Sequence, residues 1–273
     1  MATFSKVYCY PYSGWQDVPW GHARPPETQP TEDDLDIDAA ARTSRRVTES
    51  ISLELAALDL SASKSSYQIG LSVGDEPDLI ATSLRQRSYN FGNIQIPHGF
   101  RFFPPATRAN LLATAVETQL DALASLWDWD SELVRAASRR TRDASWAAAY
   151  TGSWKRTPDR TRRVRLFGQI LDDGYARWQI GVSNLDRDEY VLVSKPVAGW
   201  TWISNLRNAA TGARFLDNDR LQVPPGSGFL TETHVVHLSS GSIKPRQDDQ
   251  VVLAYPGEAG LAPAYPNVLT VVR

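Results

Sequence analysis

The fold is decided by residues 164–182, which read VRLFGQILDDGYARWQIGV. Apolar and polar residues alternate on both sides of Asp172-Asp173-Gly174, and a period of two is typical of strands with one buried face. An Asp-Gly pair between two such runs indicates a tight hairpin turn. We therefore predict two antiparallel strands that share a core face and are joined at 172–174.

The same period of two continues through the rest of the C-terminal half. Further strands are predicted at 189–194, 199–204, 229–238, 250–255 and 267–272. The chain has no repeat of constant period, which argues against solenoids and propellers. The pattern therefore predicts an antiparallel sheet or a small sandwich in this half.

The N-terminal half mixes strand and helix patterns. Its predicted elements are strands at 3–10, 51–55 and 66–73, and helices at 39–49, about 105–128 and about 131–150. The second of these helices is the clearest, because its apolar residues recur three and four positions apart. They are Leu112, Val116, Leu120 and Leu123. The third helix is predicted to begin with Ser131 as its N-cap.

These patterns together predict an α+β fold, with an N-terminal mixed strand/helix region followed by an antiparallel β-rich C-terminal half. We divide the chain into three regions: a proline-rich arm at 1–38, a mixed α+β region with amphipathic helices at 39–152, and an antiparallel β-rich region at 153–273. The arm is expected to be extended on the surface, because closely spaced prolines block both helices and sheet ladders.

Composition limits the protein class. A chain of 273 residues with 42% hydrophobic and 22% charged residues is neither a disordered chain nor a coiled coil. No stretch approaches the roughly 18 consecutive apolar residues of a membrane-spanning helix. The single cysteine, Cys9, excludes an internal disulfide and favours a reducing cytoplasm. Only five of the 29 basic residues are lysines, an arginine bias typical of GC-rich, bacterial-like genomes.

Three motifs carry possible chemistry, and the first centres on Ser72. Residues 70–74 read GLSVG and match the G-x-S-x-G elbow, which exposes a serine nucleophile between a strand and a helix. A strand at 66–71, a helix at 77–87 and a later base, His234 or His237, would complete a serine hydrolase. The alternative interpretation is a strand that ends in a glycine-containing turn.

The second motif is the sequence Glu232-Thr233-His234-Val235-Val236-His237. Its β-branched residues favour a strand, in which the two histidines three positions apart point to opposite faces. They are therefore interpreted as structural histidines, and no metal site is predicted. His98 is interpreted as part of a turn, and Asp217-Asn218-Asp219 lacks the glycine and glutamate of a calcium loop. Common nucleotide and metalloprotease motifs are absent, so no cofactor is predicted.

The third motif is a basic segment at 135–165, with ten basic and two acidic residues and interleaved aromatics. Arginine binds phosphate or carboxylate bidentately, and aromatic rings can stack on bases, so the segment suits an anionic partner. The residues assigned to partner binding are Arg139, Arg142, Trp154, Lys155, Arg156, Arg160, Arg162 and Arg163. Internal pairing with the acidic stretch at 27–38 is the competing interpretation.

We predict a non-catalytic recognition protein that binds a protein or a polyanion, nucleic acid included, through this basic segment. No set of residues combines a nucleophile, a base and an orienting group at specific spacing, so an enzyme is the weaker hypothesis. The alternatives are the serine hydrolase that uses Ser72 and, more distantly, a membrane-active protein with many Trp and Tyr residues. The oligomeric state and the ligand stay open at this point.

Overall fold

The computed structural model describes residues 2–11, 31–62, 65–75, 80–86, 89–186, 189–194, 196–199, 202–225, 233–240 and 242–245. The chain has an α+β fold, in which most strand pairs are antiparallel, helices dominate the N-terminal half and strands dominate the C-terminal half. It forms two compact units. The first unit contains the described residues up to Ala148 together with Asp172–Gly174, and the second unit contains the others.

The first unit is built on a four-stranded sheet. Its strands are β2 (Lys6–Pro11), β4 (Ser66–Gly74), β5 (Ile80–Gln86) and β6 (Tyr89–Pro97), in the order β2-β4-β6-β5. Strands β2, β4 and β6 run parallel, and β5 pairs antiparallel with β6 at the edge of the sheet. A separate two-stranded ribbon joins β1 (Ala2–Phe4) to β3 (Leu60–Ala62).

Helix α1 (Glu32–Ala56) packs against β2 and connects it to β3. Thr31 begins the helix with a capping box, in which its hydroxyl accepts from the Asp34 amide and the Asp34 carboxylate accepts from the Thr31 amide. Val47, Ile51 and Leu55 recur four residues apart and are fully buried. Residues 51–55, which were predicted as a strand, therefore belong to a helix, because their alternation also fits one helical stripe.

Two further helices complete the first unit. Helix α2 (Pro105–Trp127) has proline at its first position and ends at Asp128, which is left-handed. Its predicted apolar stripe is buried, so the prediction for 105–128 is confirmed. Helix α3 (Ser131–Asp143) is capped by Asp130 instead of Ser131. It ends seven residues earlier than predicted, because Ser145 and Trp146 adopt left-handed φ angles that no α-helix continues.

The second unit contains two sheets and helix α4 (Ile203–Gly212). The first sheet contains β7 (Ala149–Thr151), β8 (Lys155–Arg156), β9 (Arg162–Ile170), β10 (Ala176–Asn184), β11 (Leu192–Val193) and β12 (Val197–Gly199). The second contains β13 (Arg214–Phe215), β14 (Arg220–Val223), β15 (His234–His237) and β16 (Ser242–Pro245), paired in that order. All described strand pairs in these two sheets are antiparallel.

The predicted hairpin is confirmed. Strands β9 and β10 pair antiparallel over nine residues each, with Ile170 opposite Ala176 and the turn at 172–174 between them. Leu166 and Ile180 are cross-strand neighbours on the buried face, beside Trp178, which is only 1% exposed. The Asp-Gly turn and the alternation thus determine the register that the sequence predicts.

Besides the N-cap and the end of α3, four local predictions are wrong, each for a physical reason. The first helix begins at Glu32 instead of residue 39, because the Thr31 capping box starts it within the acidic stretch. Residues 80–86 form strand β5 instead of a helix, because long-range pairing with β6 outweighs their local pattern. The strand predicted at 199–204 gives way to α4, whose buried residues Ile203, Leu206, Ala209 and Ala210 follow helical spacing. The fourth is the assignment of 51–55 given above.

The predicted strands at 250–255 and 267–272 lie outside the described residues. The predicted region boundaries at 38 and 152 stay predictions. Within the described part of the chain, none of the helices combines the length and the apolar character that a bilayer crossing requires.

Candidate functional site

Strands β8 and β9 bring part of the predicted binding segment together. Arg156 on β8 is the direct cross-strand partner of Arg163 on β9. Arg165 lies two residues further along β9 and therefore projects from the same face as Arg163. The opposite face of β9 carries Val164 and Leu166, which are buried in the core. Alternation along β9 thus separates a core face from a face with three arginines.

Trp154 lies among these arginines, immediately before β8. The guanidinium carbons of Arg163 and Arg165 are each 4.5 Å from the centroid of its ring, a distance at which cation–π attraction operates. Tyr190 lies 5.7 Å from the Trp154 ring, measured between ring centroids. We call Trp154, Arg156, Arg163, Arg165 and Tyr190 the arginine face.

Tyr190 holds Arg165 in a defined orientation. The Arg165 guanidinium carbon is 5.0 Å from the Tyr190 ring centroid, and Arg165 Nε donates a hydrogen bond to the Tyr190 hydroxyl at 2.5 Å. The Tyr190 ring also stacks on Phe167, with 5.5 Å between centroids. Arg165 is therefore fixed by two rings and one hydrogen bond, and this hydrogen bond uses its Nε.

The position of Tyr190 depends on Gly181. This glycine faces Arg165 across the β9–β10 pair. A Cβ at Gly181 would press on Cε1 of the Tyr190 ring and would lie 2.6 Å from Cδ1 and 3.0 Å from Cζ. The absence of a side chain at this position thus gives the tyrosine ring its space over strand β10.

Two arginines of the arginine face, Arg156 and Arg165, have no carboxylate partner among the described residues. Like charges directly opposite each other on paired strands destabilise a sheet, and Arg156 and Arg163 are such a pair. Within the part of the chain that the structure describes, neither Arg156 nor Arg165 forms an ion pair with a carboxylate.

Lys155 and Arg162, two other basic residues of the segment, have local partners in the second unit. Lys155 Nζ donates to the carbonyl oxygens of Thr211 and Ala213, at 2.8 and 2.6 Å, and so caps the end of α4. Burial lowers the pKa of this lysine. Arg162 donates to the carbonyl oxygen of Asn218 at 2.9 Å. Arg160 lies exposed in a loop with a left-handed φ of 56°.

Arg139 and Arg142 belong to the first unit, on α3, and the predicted set is thus divided between the units. They line a cleft of about 270 Å³ between α2 and α3. Arg142 donates to both carboxylate oxygens of Glu117, and Arg139 lies 3.8 Å from Glu132. Charges along α3 are therefore paired within the first unit.

The acidic stretch at 27–38 was the predicted internal partner of the basic segment. Its described carboxylates have other partners. Asp36 accepts from the backbone amides of Gly99 and Arg101, at 2.6 and 3.0 Å, and Asp38 accepts from Arg42 at 2.7 Å. Residues 27–30 lie outside the described part of the chain. The described carboxylates of this stretch thus make their contacts within the first unit.

Ser72 does not lie at a nucleophile elbow. It is an internal residue of β4, which continues to Gly74, and the next described element is strand β5 instead of a helix. Its hydroxyl accepts a hydrogen bond from Asn93 Nδ2 at 3.3 Å. His234 and His237 belong to the second unit. The sharp strand-to-helix turn that the hydrolase hypothesis requires is therefore not formed here.

The two histidines of β15 make separate contacts. The His234 ring meets Trp178 edge-on, with 5.3 Å between centroids, and His237 Nδ1 lies 3.9 Å from Asp219 Oδ2. His98 lies in the predicted turn, 3.0 Å from Asp33. Glu232 lies outside the described residues. Among those described, no three His, Cys, Asp or Glu side chains converge on a point that could hold a metal ion.

Sequence reasoning assigned Trp154, Arg156 and Arg163 to binding but left three neighbours out. Arg165 could have been added from the sequence, because a strand places residues two apart on one face. Phe167 follows by the same rule. Tyr190 could not have been added from the sequence, because its position depends on the path that the chain takes after β10.

Comparison of the chain with protein-family models, with curated proteins and with solved structures finds no match in any of the three.

Proposed function

We propose that the second unit binds an anionic partner through the arginine face, without catalysis. The observation that carries this proposal is Arg165: two aromatic rings and the Tyr190 hydroxyl orient it, and no described carboxylate pairs with it. A guanidinium group that only stabilised the fold would gain most from a carboxylate partner. Here the aromatic rings position the charge and leave it available.

The arrangement of the arginines supports the same function. Arg156 is exposed, lies on the same sheet face as Arg165 and, like it, has no carboxylate partner among the described residues. The arginines of α3 provide the contrast within the same chain. Each pairs with a carboxylate of the first unit, and those pairs need no external partner.

A test by titration uses tripolyphosphate, a heparin oligosaccharide and a polyglutamate peptide as probes in low-salt buffer. Removing one charge-assisted contact costs about 1.5–3 kcal/mol, so Arg165→Gln should weaken binding of the preferred probe by about 10- to 100-fold. Arg156→Gln should weaken it similarly. Binding should also fall as salt rises, in proportion to the number of contacts.

The matched control is Arg220→Gln. Arg220 is an exposed arginine of the same unit, but its Nε already donates to Asp217 at 2.6 Å. Its substitution should change affinity less than about twofold, because surface ion pairs contribute little and this one lies outside the arginine face. Failure of all three probes to bind at low salt would overturn the proposal, as would equal losses in the control and in Arg165→Gln.

A further inference from the structure

The first unit holds a cleft between helices α2 and α3 that the proposed function does not use. Its volume is about 270 Å³. Glu117 and Asp121 of α2 line one side of it, and Arg135, Ser138 and Arg142 of α3 line the other. These residues therefore border one common space.

Two ion pairs join the helices across this cleft. Arg142 Nη2 donates to both carboxylate oxygens of Glu117, at 3.0 and 2.9 Å. Arg135 Nε donates to both carboxylate oxygens of Asp121, at 3.0 and 3.3 Å. Each carboxylate that α2 contributes to the cleft thus has an arginine of α3 as its partner.

The charges of the cleft and its rim are balanced. Arg139, the third arginine of the lining, lies 3.8 Å from Glu132, and Glu132 also accepts from Arg135 at 3.0 Å. An anionic ligand would have to compete with the carboxylates for these arginines, and a cationic ligand would have to compete with the arginines for the carboxylates. A neutral ligand meets neither competition.

Ser138 lies between the two ion pairs along α3 and provides an independent sign of a ligand. It follows Arg135 by three residues and precedes Arg142 by four. The residue is only 3% exposed, and its hydroxyl forms no hydrogen bond with any described residue. A buried hydroxyl is normally paired, because leaving it without a partner costs free energy. A hydroxyl group of a ligand in the cleft can both donate to it and accept from it.

The groups around Ser138 suit several ligand hydroxyls at once. A carboxylate oxygen that accepts one hydrogen bond can accept a second, and a guanidinium group carries five N–H donors. Val134, one turn before Ser138, is buried and adds apolar surface for the C–H groups of such a ligand. Sites for drug-sized ligands have volumes of about 300–1,000 Å³, so this cleft fits a smaller molecule.

We infer that the cleft between α2 and α3 binds a neutral polyhydroxylated molecule the size of a monosaccharide. Balanced charges favour a neutral ligand, the mixture of donors and acceptors favours hydroxyl groups, and Ser138 offers a hydroxyl that the described residues leave unpaired. The inference concerns the first unit and does not depend on the proposed function of the second.

The test is an NMR titration of the ¹⁵N-labelled full chain. The neutral probes are sorbitol, glucose and myo-inositol, and the charged counterparts of sorbitol are gluconate and glucamine, which keep its polyhydroxylated chain. At least one neutral probe should shift the amide signals of α2 and α3 around the cleft. Gluconate and glucamine should bind at least about tenfold more weakly than sorbitol, because each must compete with an ion pair. Hexanediol, which has few hydroxyls, should bind more weakly still.

Ser138→Ala locates the site, and Ser125→Ala is its matched control. Ser138→Ala should weaken binding of the best neutral probe about three- to tenfold, because one hydrogen bond is lost. Ser125 is an exposed serine of α2 outside the cleft, and its hydroxyl donates to the Asp121 carbonyl oxygen at 3.1 Å. Its substitution brings the same gain in helix propensity and should change affinity less than about twofold. The urea unfolding midpoints of the two variants should move together.

Several outcomes would overturn the inference. They are no shift around the cleft with any neutral probe up to about 50 mM, tighter binding of gluconate or glucamine than of sorbitol, and equal binding of hexanediol. Equal losses of affinity in the two serine variants would also overturn it. A loss of stability confined to Ser138→Ala would do the same, because it would show that the protein itself uses the hydroxyl. The anion titrations of the arginine face test the proposed function separately.

Discussion

Substituting Gly181 by alanine tests whether the arginine face depends on the close approach of Tyr190 to strand β10. The added Cβ would lie 2.6 Å from Cδ1 of the ring, whereas carbon atoms in favourable contact are about 3.5–4.0 Å apart. The ring must therefore retreat by about 1 Å, which lengthens the 2.5 Å Arg165–Tyr190 hydrogen bond to the limit of such bonds. Overpacking of this kind costs about 1–3 kcal/mol.

The assay is urea unfolding of a double-mutant cycle made from Gly181→Ala and Tyr190→Ala. In the wild-type background we expect Gly181→Ala to lower the free energy of unfolding by about 1–3 kcal/mol. In the Tyr190→Ala background the clash is absent, and alanine should instead stabilise the strand by about 0.4–1 kcal/mol, because it restricts the unfolded chain. An effect of the same sign and size in both backgrounds would refute the reasoning.

Three further predictions concern the first unit. Leu120→Ala should lower the free energy of unfolding by about 2–5 kcal/mol in urea, because Leu120 is fully buried on α2 and its loss leaves a cavity; a loss below about 1 kcal/mol would contradict this packing. Burial raises the pKa of the Cys9 thiol to about 12, so a thiol reagent should label Cys9 at pH 8 only after denaturation, and rapid labelling of folded protein would be evidence against this. Burial also raises the pKa of Asp38 from 3.8 to about 7, so its contribution to stability is fully present below about pH 4 and is lost as pH rises towards 7. Asp38→Asn should flatten that part of the unfolding profile, and an unchanged slope between pH 4 and 7 would argue against it.

Elements that rest on long, regular patterns were predictable from the sequence. The β9–β10 hairpin combines nine-residue strands with an Asp-Gly turn, and α2 repeats its apolar stripe from Leu112 to Leu123, over about three turns. Predictions from short patterns were wrong because a run of five to seven residues can fit both the helical period of 3.6 and the strand period of 2. Residues 80–86 became a strand through pairing with β6, a partner whose choice depends on the whole sheet.

The basic segment shows why charge density alone does not identify a site. Along the sequence, the α3 arginines and the β8–β9 arginines are equally conspicuous, and the same reasoning assigned both to one surface. The fold divides them between the two units. Arg142 meets the carboxylate of Glu117 on α2, whereas Arg165 meets two aromatic rings.

These two environments have different consequences for binding. A guanidinium group that is paired with a carboxylate can bind an external anion only by giving up that carboxylate. The free energy gained from the new pair is then nearly cancelled by the free energy lost with the old one. A guanidinium group held by tryptophan and tyrosine keeps its orientation when an anion arrives, and the ring contacts add to the new hydrogen bonds. Binding then loses little side-chain conformational entropy, because the arginine is already ordered in the free protein. For this reason our proposal that the face binds an anion rests on the aromatic partners of Arg165 more than on the number of arginines.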